Sequence, residues 1–279
     1  MRTLTAAIGR YPHTAALLDG EVSTPGLRLE CADIPTISRA FAPMVREHRY
    51  AISEMAIATW LQAREHDTGL VLLPWALAAR FQDSAMLCRV DNPLGATDLA
   101  GKRVGVRAYS QTTGMWLRGI LAGSHGVSAE SIAWTTFEDA HVPQYRDPPW
   151  ATRAPPGSDM QAMLESGALD AAIFGNELPQ SPSLRRVFPD DAAAEFRRLH
   201  GFMPVNHLLV ARRDAVDAAG DVLALLAAAE AIAPSGLSRG RAALMPSISF
   251  AAHFCVQQGL IARAPGYEEI WAGLPDTIQ

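Results

Sequence analysis

The stretch GKRVGVRAYSQTTGMWLRG, residues 101–119, sets the expected fold class of this chain. Residues 103–106 predict a short buried strand, residues 108–113 a polar turn, and the residues from Thr112 onward a helix. A strand that passes through Ser and Thr residues into a helix leaves backbone N–H groups free at the positive end of the helix dipole. Such a helix start can hold an anion. The stretch therefore predicts an α/β fold with a ligand crevice at the strand ends and a small organic acid as ligand.

The composition bounds the class of protein. The 279 residues suffice for one large or two modest domains. Hydrophobic residues make up 49% and charged residues 19%, which excludes a disordered chain. A net charge of −5 and the lack of a basic stripe with aromatic residues argue against nucleic acid as a partner. Cys31, Cys88 and Cys255 have no CxxC spacing, so we expect three buried thiols in a reducing compartment.

Targeting signals are also absent from the sequence pattern. The first 20 residues contain no apolar core of the kind found in secretory signals. No apolar run reaches the length of about 18 residues that a membrane-spanning helix needs. We therefore expect a cytoplasmic protein with no membrane partner, with a homodimer as the candidate assembly.

Strand and helix patterns alternate along the chain. Predicted strands cover residues 3–8, 27–31, 50–55, 70–73, 84–89, 132–136, 169–174 and 203–211, with Pro74 closing the fourth. Predicted helices cover residues 37–47, 57–65, 113–124, 159–166, 222–233 and 250–261. Residues 141–156 are rich in Pro and Arg and predict a loop. This alternation favours parallel sheets in α/β layers.

Two segments indicate where the chain passes between lobes. LESGALDAAIF and DLAGKRVGV each place a glycine directly before a buried strand, an arrangement common in two-lobed solute-binding folds. We place the crossings near residues 89–91 and 198–205. Lobe one is then residues 1–88 plus 205–279, and lobe two is residues 89–204.

The strongest candidate for ligand binding is the turn in the opening stretch. Its side chains belong to Ser110, Gln111, Thr112 and Thr113. They could hold a carboxylate together with the helix N–H groups. The alternative is a simple helix cap, which needs only one hydroxyl. We favour the binding role because the turn carries more hydroxyl groups than a cap uses.

Acid–base candidates lie elsewhere in the chain. His13 follows the first strand, and His207 lies in the apolar return strand PVNHLLV, where a satisfied core histidine is the alternative. Glu54 lies among apolar residues and would have a raised pKa if it were unpaired, which suits proton transfer. Ser53 could meet ligand or cap the next helix. Arg80 is a candidate carboxylate clamp, whereas Arg118 is expected in a surface or inter-lobe ion pair.

No pattern indicates a metal or a cofactor. The chain has no HExxH, GxSxG, Walker or GxGxxG motif, and no His or Cys pair at ligand spacing. We expect a site without metal ion or cofactor.

In combination and in order, several motifs resemble the 4,5-dihydroxyphthalate decarboxylases and related solute-binding-protein-like enzymes. The motifs are IGRYPHTAALLDG at the start, YAISEMAIATW at 50–60, GKRVGVRAYSQTTGMWLRGIL at 101–121, LESGALDAAIFG, FMPVNHLLVARRD at 202–214 and FCVQQGL at 254–260. The resemblance spans most of the chain. It implies a two-lobed type 2 periplasmic-binding-protein-like fold, used inside the cell, with the active site in the cleft between the lobes.

This chain departs from that family at likely ligand positions. Where family members carry an Arg-His pair after the aromatic residue matching Phe81, this chain has Gln82 and Asp83. In the turn after Asn176, where they carry Arg, it has Glu177. Each lost charge-assisted hydrogen bond is worth about 1.5–3 kcal/mol. We therefore expect a different substrate, with one carboxylate or with an amine facing Asp83 or Glu177.

The resemblance implies a cofactor-free decarboxylase of a small aromatic or cyclic acid, in aromatic catabolism. The turn at Ser110–Thr113 would hold a carboxylate, and His13, His207 or Glu54 would deliver the proton. Closure of the lobes would exclude water. Two alternatives remain open at this stage: a non-catalytic solute-binding protein for a small acid, and another lyase, such as a dehydratase, on the same fold.

Overall fold

The chain forms two compact units in the computed structural model, which describes residues 1–175 and 178–279. The first unit comprises Met1–Ala79, Val205–Ser249 and Pro265–Gln279, and the second comprises Arg80–Pro204 and Phe250–Ala264. The predicted division after residue 88 differs from this, because the strand at residues 86–89 pairs within the sheet of the second unit. Residues 250–264, predicted in lobe one, also belong to the second unit. Asn176 and Glu177 lie outside the described residues.

Strands and helices follow one another along the chain. The first half contains β1 (Arg2–Ala7), α1 (Pro12–Leu18), β2 (Leu27–Cys31), α2 (Phe41–Glu47), β3 (Ile52–Ala56), α3 (Ile57–Glu65), β4 (Leu70–Ala79), β5 (Met86–Arg89), β6 (Arg103–Val106), α4 (Thr112–His125) and β7 (Ala133–Thr136). The second half contains β8 (Ala151–Arg153), α5 (Met160–Glu165), β9 (Ala171–Ile173), β10 (Leu184–Arg186), α6 (Ala192–His200), β11 (Val205–Arg212), α7 (Ala219–Ile232), α8 (Arg241–Gln257) and α9 (Tyr267–Ile270). The predicted α/β class is confirmed.

The sheet of the first unit has the strand order β2-β1-β3-β11-β4. Strands β1, β2 and β3 are parallel, as predicted, but β11 runs antiparallel to both of its neighbours. The predicted parallel pairing therefore holds for β1, β2 and β3 of this sheet and not for β11. Every residue of β3 is buried, and Leu209 of β11 lies opposite Glu54 of β3. Strand β3 is thus a central strand, covered on both faces.

Strand β4 continues through Pro74, where the sequence predicted its end. It is an edge strand whose neighbour in the sheet is β11, and its other side forms only an isolated bridge between Trp75 and Arg239 in the described part of the chain, so the missing N–H of a proline costs little there. The register with β11 shifts in this region, and the Pro74 carbonyl accepts a hydrogen bond from the Gly240 N–H at 2.8 Å. A bulged edge is therefore what allows proline inside this strand.

The sheet of the second unit has the order β10-β5-β9-β6-β7-β8. Strands β6, β7, β8 and β9 are parallel, whereas β5 is antiparallel to β9 and β10. Strand β8 lies inside the segment predicted as a loop, since Trp134–Thr136 of β7 provides it with a partner. A core of Leu87, Leu164, Leu169, Ala172 and Phe174 packs on this sheet.

Helix α4 follows β6 and begins at Thr112, as the opening stretch predicts. It ends at Gly126, whose φ of 67° is the left-handed conformation that favours glycine at helix ends. Its middle fits closely against α8, because a Cβ on Gly119 would overlap the Phe254 ring. Within the described part of the chain, no helix is long and apolar enough to cross a membrane.

Candidate functional site

The first unit contains a buried carboxyl group, Glu54, surrounded by three hydrogen-bond donors. Glu54 has no exposed surface. Its Oε2 accepts from the Gly9 N–H at 2.8 Å, and its Oε1 accepts from the Tyr11 hydroxyl at 2.6 Å. The same Oε1 lies 2.6 Å from Nδ1 of His207. Because a carboxylate only accepts, Nδ1 carries the hydrogen, and Nε2 is left as the reactive nitrogen of the ring. We call these four residues the Glu54 network.

Strand pairing explains how Glu54 and His207 meet. Strand β3 pairs antiparallel with β11 so that Ala56 lies opposite His207 and Leu209 opposite Glu54. Glu54 and His207 are therefore diagonal neighbours on one face of the sheet, a separation that long side chains can bridge. The His207 side chain keeps 14% of its surface exposed, and the ring of Phe41 packs edge-on against it. The network thus ends in an imidazole that a ligand can reach.

Gly9 is what allows Tyr11 to join the network. It lies two residues beyond β1, next in space to β3 through the pairing of Ala7 with Ser53. A Cβ on Gly9 would lie 2.8–2.9 Å from atoms of the Tyr11 ring, including its hydroxyl. Any side chain at position 9 would therefore push the hydroxyl away from Glu54. Sequence reasoning missed both residues, although a glycine and a tyrosine just after a buried strand are a signal for such a turn.

The environment of Tyr11 keeps its hydroxyl protonated. Burial, and secondarily the charge and hydrogen bond of Glu54, raise the pKa of Tyr11 well above its usual value. The ring of His13 stacks on Tyr11 with the centroids 5.2 Å apart and the planes within 2°. His13 Nε2 lies 3.2 Å from the Leu77 carbonyl, so this nitrogen donates, and Nδ1 is the one that could exchange a proton. The structure thus places His13 beside the network but outside its hydrogen bonds.

Ser53 does not join the network. Successive side chains of a strand point to opposite faces, so Ser53 lies on the face opposite Glu54. It is fully buried, and its hydroxyl donates to the Glu54 carbonyl at 2.8 Å. It does not cap α3 either, since the residue at that cap is Ala56. Substrate binding by Ser53, one of the roles predicted from sequence, has no geometric support here.

The second unit contains the predicted anion seat at the start of α4. Ser110, Thr112 and Thr113 are buried there. The residue at the cap is Gln111, and no side chain caps the helix, so the simple-cap alternative does not describe this turn. In the described part of the chain, the N–H groups of Thr113 and Gly114 have no hydrogen-bond acceptor. We call residues 110–114 the α4 seat.

Arg80, beside the α4 seat, and Gln111, within it, each have one buried polar atom with no hydrogen-bond partner among the described residues. Arg80 Nη2 donates to the Thr113 hydroxyl at 3.1 Å, whereas its Nε is buried without an acceptor among the described residues. Burial lowers the pKa of the Arg80 guanidinium, and the charge of Asp83 opposes that effect. The Oε1 atom of Gln111 is also buried without a donor in the same described set. The seat therefore offers donors to an anion and one acceptor to a hydroxyl or N–H group.

Gln82 and Asp83 differ in burial and in their polar contacts. Gln82 is 1% exposed, and its amide donates to the Arg80 carbonyl at 2.6 Å, so it shapes the backbone before Asp83. Burial raises the pKa of Asp83, with Arg186 and Arg80 acting in the opposite direction. Asp83 is half-buried and available to a polar ligand. The prediction for Glu177 falls on a residue outside the described set.

Arg118 is placed differently from the expected surface or inter-lobe ion pair. It is 1% exposed, and its guanidinium lies 3.9 Å from the centre of the Tyr109 ring. Its Nε donates to Gln258 at 2.7 Å, and its Nη2 donates to the Tyr109 carbonyl. Among the described residues it has no carboxylate within 4.0 Å. The only sign of this burial in the sequence is that Arg118 lies among apolar residues of a predicted helix.

The described residues contain no group of three or more His, Cys, Asp or Glu side chains that could hold a metal ion. The contact between Glu54 and His207 suits proton transfer, and the buried donors of the α4 seat suit anion binding.

Sequence comparison finds two relatives. The chain is 26% identical over 229 residues to the 4,5-dihydroxyphthalate decarboxylase of Comamonas testosteroni, covering 75% of this chain and 68% of that protein. It is 27% identical over 189 residues to the enzyme of the same name from Pseudomonas putida, covering 64% and 71%. No family model matches the sequence. These two enzymes support the family relationship that the motifs predicted.

Comparison with solved structures finds the same fold in proteins of low sequence identity. The aliphatic sulphonate-binding protein SsuA from Escherichia coli matches with a TM-score of 0.56 at 13% identity, covering 98% of this chain and 82% of that one. A mutant of the desulfurization enzyme DszB in complex with biphenyl-2-sulfinic acid matches with a TM-score of 0.54 at 18% identity, covering 99% and 97%. The predicted periplasmic-binding-protein-like fold is thereby confirmed. Because the fold holds both a binding protein and an enzyme, it does not choose a function.

Proposed function

We propose that this chain, a relative of decarboxylases, is a cofactor-free decarboxylase of a small aromatic or cyclic carboxylic acid. The observation that carries the proposal is the Glu54 network: a fully buried carboxylate that orients one histidine through Nδ1, while the histidine side chain keeps 14% of its surface exposed. Binding alone does not require such a network. A base oriented by a carboxylate is the arrangement by which enzymes prepare a group for proton transfer.

The reaction needs one proton at the ring carbon that carries the carboxylate. In the protonated state, His207 donates from Nε2 to that carbon while Nδ1 stays hydrogen-bonded to Glu54. The electron pair of the bond to the carboxylate then returns to the ring, CO2 leaves, and His207 remains neutral. A proton from solvent restores the imidazolium, so that the net change is carboxylate plus proton to arene plus CO2. Glu54 stabilises the imidazolium by charge and hydrogen bond, as a buried carboxylate does for a catalytic histidine.

The rest of the network serves orientation. The Gly9 N–H and the Tyr11 hydroxyl hold the two Glu54 oxygens, so the carboxylate cannot rotate away from His207. The aromatic rings of Tyr11, His13 and Phe41 border the network. Flat aromatic walls favour a flat substrate, which is consistent with an aromatic acid.

We propose that the α4 seat of the second unit binds a carboxylate or oxyanion. Three features support this role: N–H groups at the start of a 14-residue helix that have no acceptor among the described residues, the buried Nε of Arg80, and the side chains of residues 110–113. Oε1 of Gln111, which has no donor among the described residues, would accept from a hydroxyl group on the ligand. A hydroxylated aromatic acid supplies both groups, and a substrate with one carboxylate avoids the repulsion of a second one by Asp83.

The test is to incubate the purified protein with a panel of hydroxylated benzoates and phthalates. Release of CO2 is followed together with the mass of the product. Loss of 44 mass units supports a decarboxylase, whereas loss of 18 indicates a dehydratase. Tight binding across the panel with no turnover would contradict the enzymatic proposal and leave a binding protein. His207→Asn serves as the control, since it should bind the active substrate without releasing CO2.

A further inference from the structure

Arg118 is a buried cation that packs on the rings of Tyr109 and Trp134, 3.9 and 5.2 Å from its guanidinium carbon, and it has no carboxylate partner among the described residues. It is 1% exposed, and burial lowers the pKa of its guanidinium. Among the described residues no carboxylate lies within 4.0 Å of it, and its two hydrogen-bond acceptors, Gln258 and the Tyr109 carbonyl, are neutral. Its Nη1 is buried with no acceptor in that same part of the chain. A buried charge without a partner is costly, so its presence calls for a physical reason.

Other charged and titratable groups face Arg118 at longer range. Asp147 raises the pKa of Arg118 by charge, but it is half-buried and its carboxylate accepts instead from the Thr136 hydroxyl at 3.2 Å. Tyr145 also faces it, and burial raises the pKa of that phenol, which keeps it neutral. Among these groups, Asp147 alone carries a charge that opposes the positive charge of Arg118, and it does so at longer range.

The position of Arg118 directs its charge toward the α4 seat. Its Nη2 donates to the carbonyl of Tyr109, the residue immediately before Ser110. Its Nη1 lies 3.0 Å from where a Cβ on Gly114 would be, and Gly114 is the third residue of α4. The guanidinium thus lies against the first turn of the helix, beside Gly114. At an effective dielectric constant of about 20, a unit charge about 6–12 Å from a bound anion changes the affinity for that anion by about 10- to 100-fold.

We propose that Arg118 is a positioning residue that gives the α4 seat its preference for anions. It acts in two ways: it fixes the turn through the Tyr109 carbonyl, and it adds a permanent positive charge behind the helix start. This inference rests on the proposed carboxylate-binding role of the α4 seat. It also accounts for anion binding in a chain that has Gln82 and Asp83 where its family carries Arg and His.

The test compares an anion with a neutral molecule of the same shape. Binding of 4-hydroxybenzoate and 4-hydroxybenzamide is measured by calorimetry with the wild type, Arg118→Met and Arg118→Lys. We expect the wild type to bind the carboxylate at least ~10-fold more tightly than the amide, Arg118→Met to bind both about equally, and Arg118→Lys to keep part of the preference. Gln258→Met removes a neutral partner of Arg118 without changing the charge, and it should keep the preference.

The outcomes separate this inference from the proposal on which it rests. A wild type that binds carboxylate and amide equally would contradict the anion seat itself. A wild type with the preference and an Arg118→Met variant that retains it would overturn only the role of Arg118, even if both ligands bind more weakly. If circular dichroism shows Arg118→Met to be unfolded, Arg118→Gln carries the same expectation. Failure of both neutral variants to fold would count against the inference, since the charge would then serve the fold.

Discussion

Nδ1 of His207 lies 2.6 Å from Oε1 of Glu54, although 153 positions separate the two residues in the chain. Strand β11 brings them together by pairing antiparallel with β3 at the centre of the first unit. Glu54 has no contact with solvent, and among the described residues its partners are the Gly9 N–H, the Tyr11 hydroxyl and His207. The pair is the basis of the proposed proton transfer, and it leads to the first three predictions.

Glu54→Gln should abolish most of the activity with little change of shape. An amide of nearly the same size replaces the carboxylate, but it does not stabilise an imidazolium at His207. Loss of general acid catalysis typically lowers the rate by about 10²–10⁴-fold. The rate of CO2 release with saturating substrate measures kcat directly. If the variant kept more than a tenth of the wild-type kcat, the proposed role of Glu54 in proton transfer would be contradicted.

Replacing the two histidines of the first unit separates their roles. His207→Asn should lower kcat by about 10²–10⁴-fold because it removes the proposed donor. His13→Gln should lower it by less than about tenfold, since Nε2 of His13 is occupied by the Leu77 carbonyl and the ring only stacks on Tyr11. Single-turnover measurements of CO2 release compare the two. The reverse order of effects would assign proton donation to His13.

Gly9→Ala should disturb the network through sterics alone. The new methyl group would lie within 3.0 Å of the Tyr11 ring, which must move and release Glu54 from one of its donors. We expect kcat to fall by at least about tenfold, the effect of removing a supporting hydrogen bond worth about 1.5 kcal/mol. Gly220→Ala, in open space on α7, is the matched control and should leave kcat unchanged. Equal activity of both variants would show that the Tyr11 contact is dispensable.

Tyr11→Phe should change the stability of the protein at alkaline pH. Because the folded pKa of Tyr11 is raised, its contribution to stability is present below the unfolded value of 10.0 and is lost as the pH rises above it. The unfolding free energy of the wild type should therefore fall above pH 10 by up to about 1.4 kcal/mol per pH unit more steeply than that of Tyr11→Phe. Urea unfolding between pH 9 and 11 measures the slopes.

The control for this slope is Tyr267→Phe, because the Tyr267 ring is 44% exposed on α9 and the change removes a hydroxyl from the surface. Its slope should equal that of the wild type. If Tyr11→Phe also had the wild-type slope, Tyr11 would ionise as freely in the folded protein as in the unfolded one. Such a result would contradict the buried hydrogen bond from the Tyr11 hydroxyl to Glu54.

Two glycines of α4 should respond to alanine in opposite directions. At Gly119 a Cβ would overlap the Phe254 ring, so Gly119→Ala forces overpacking that costs about 1–3 kcal/mol. At Gly123 a Cβ meets nothing within 4 Å, so Gly123→Ala should gain up to about 1 kcal/mol from helix propensity. Thermal or urea unfolding measures both. A stable Gly119→Ala variant would show that α4 and α8 pack differently.

Local patterns in the sequence predicted most elements because hydrophobic periodicity and turn residues act over a few positions. The change from β6 to α4, the helix from Ile57 and the strand β2 follow from spacing alone. Strand β8 did not, because three residues in a segment rich in Pro and Arg acquire strand structure only from pairing with β7. The strand end predicted at Pro74 was wrong because an edge position cannot be read from local sequence.

The same distinction between local pattern and tertiary contact applies to the candidate site. The sequence by itself determined the chemical types: a carboxyl group among apolar neighbours at Glu54, a histidine in an apolar strand at His207, and hydroxyl groups at the start of α4. Only the tertiary structure decided that Glu54 is paired, that Ser53 faces away from it, and that Arg118 is buried against the Tyr109 ring. The physical reason is that burial, strand register and electrostatic partners arise from contacts between residues far apart in sequence, which local patterns do not encode.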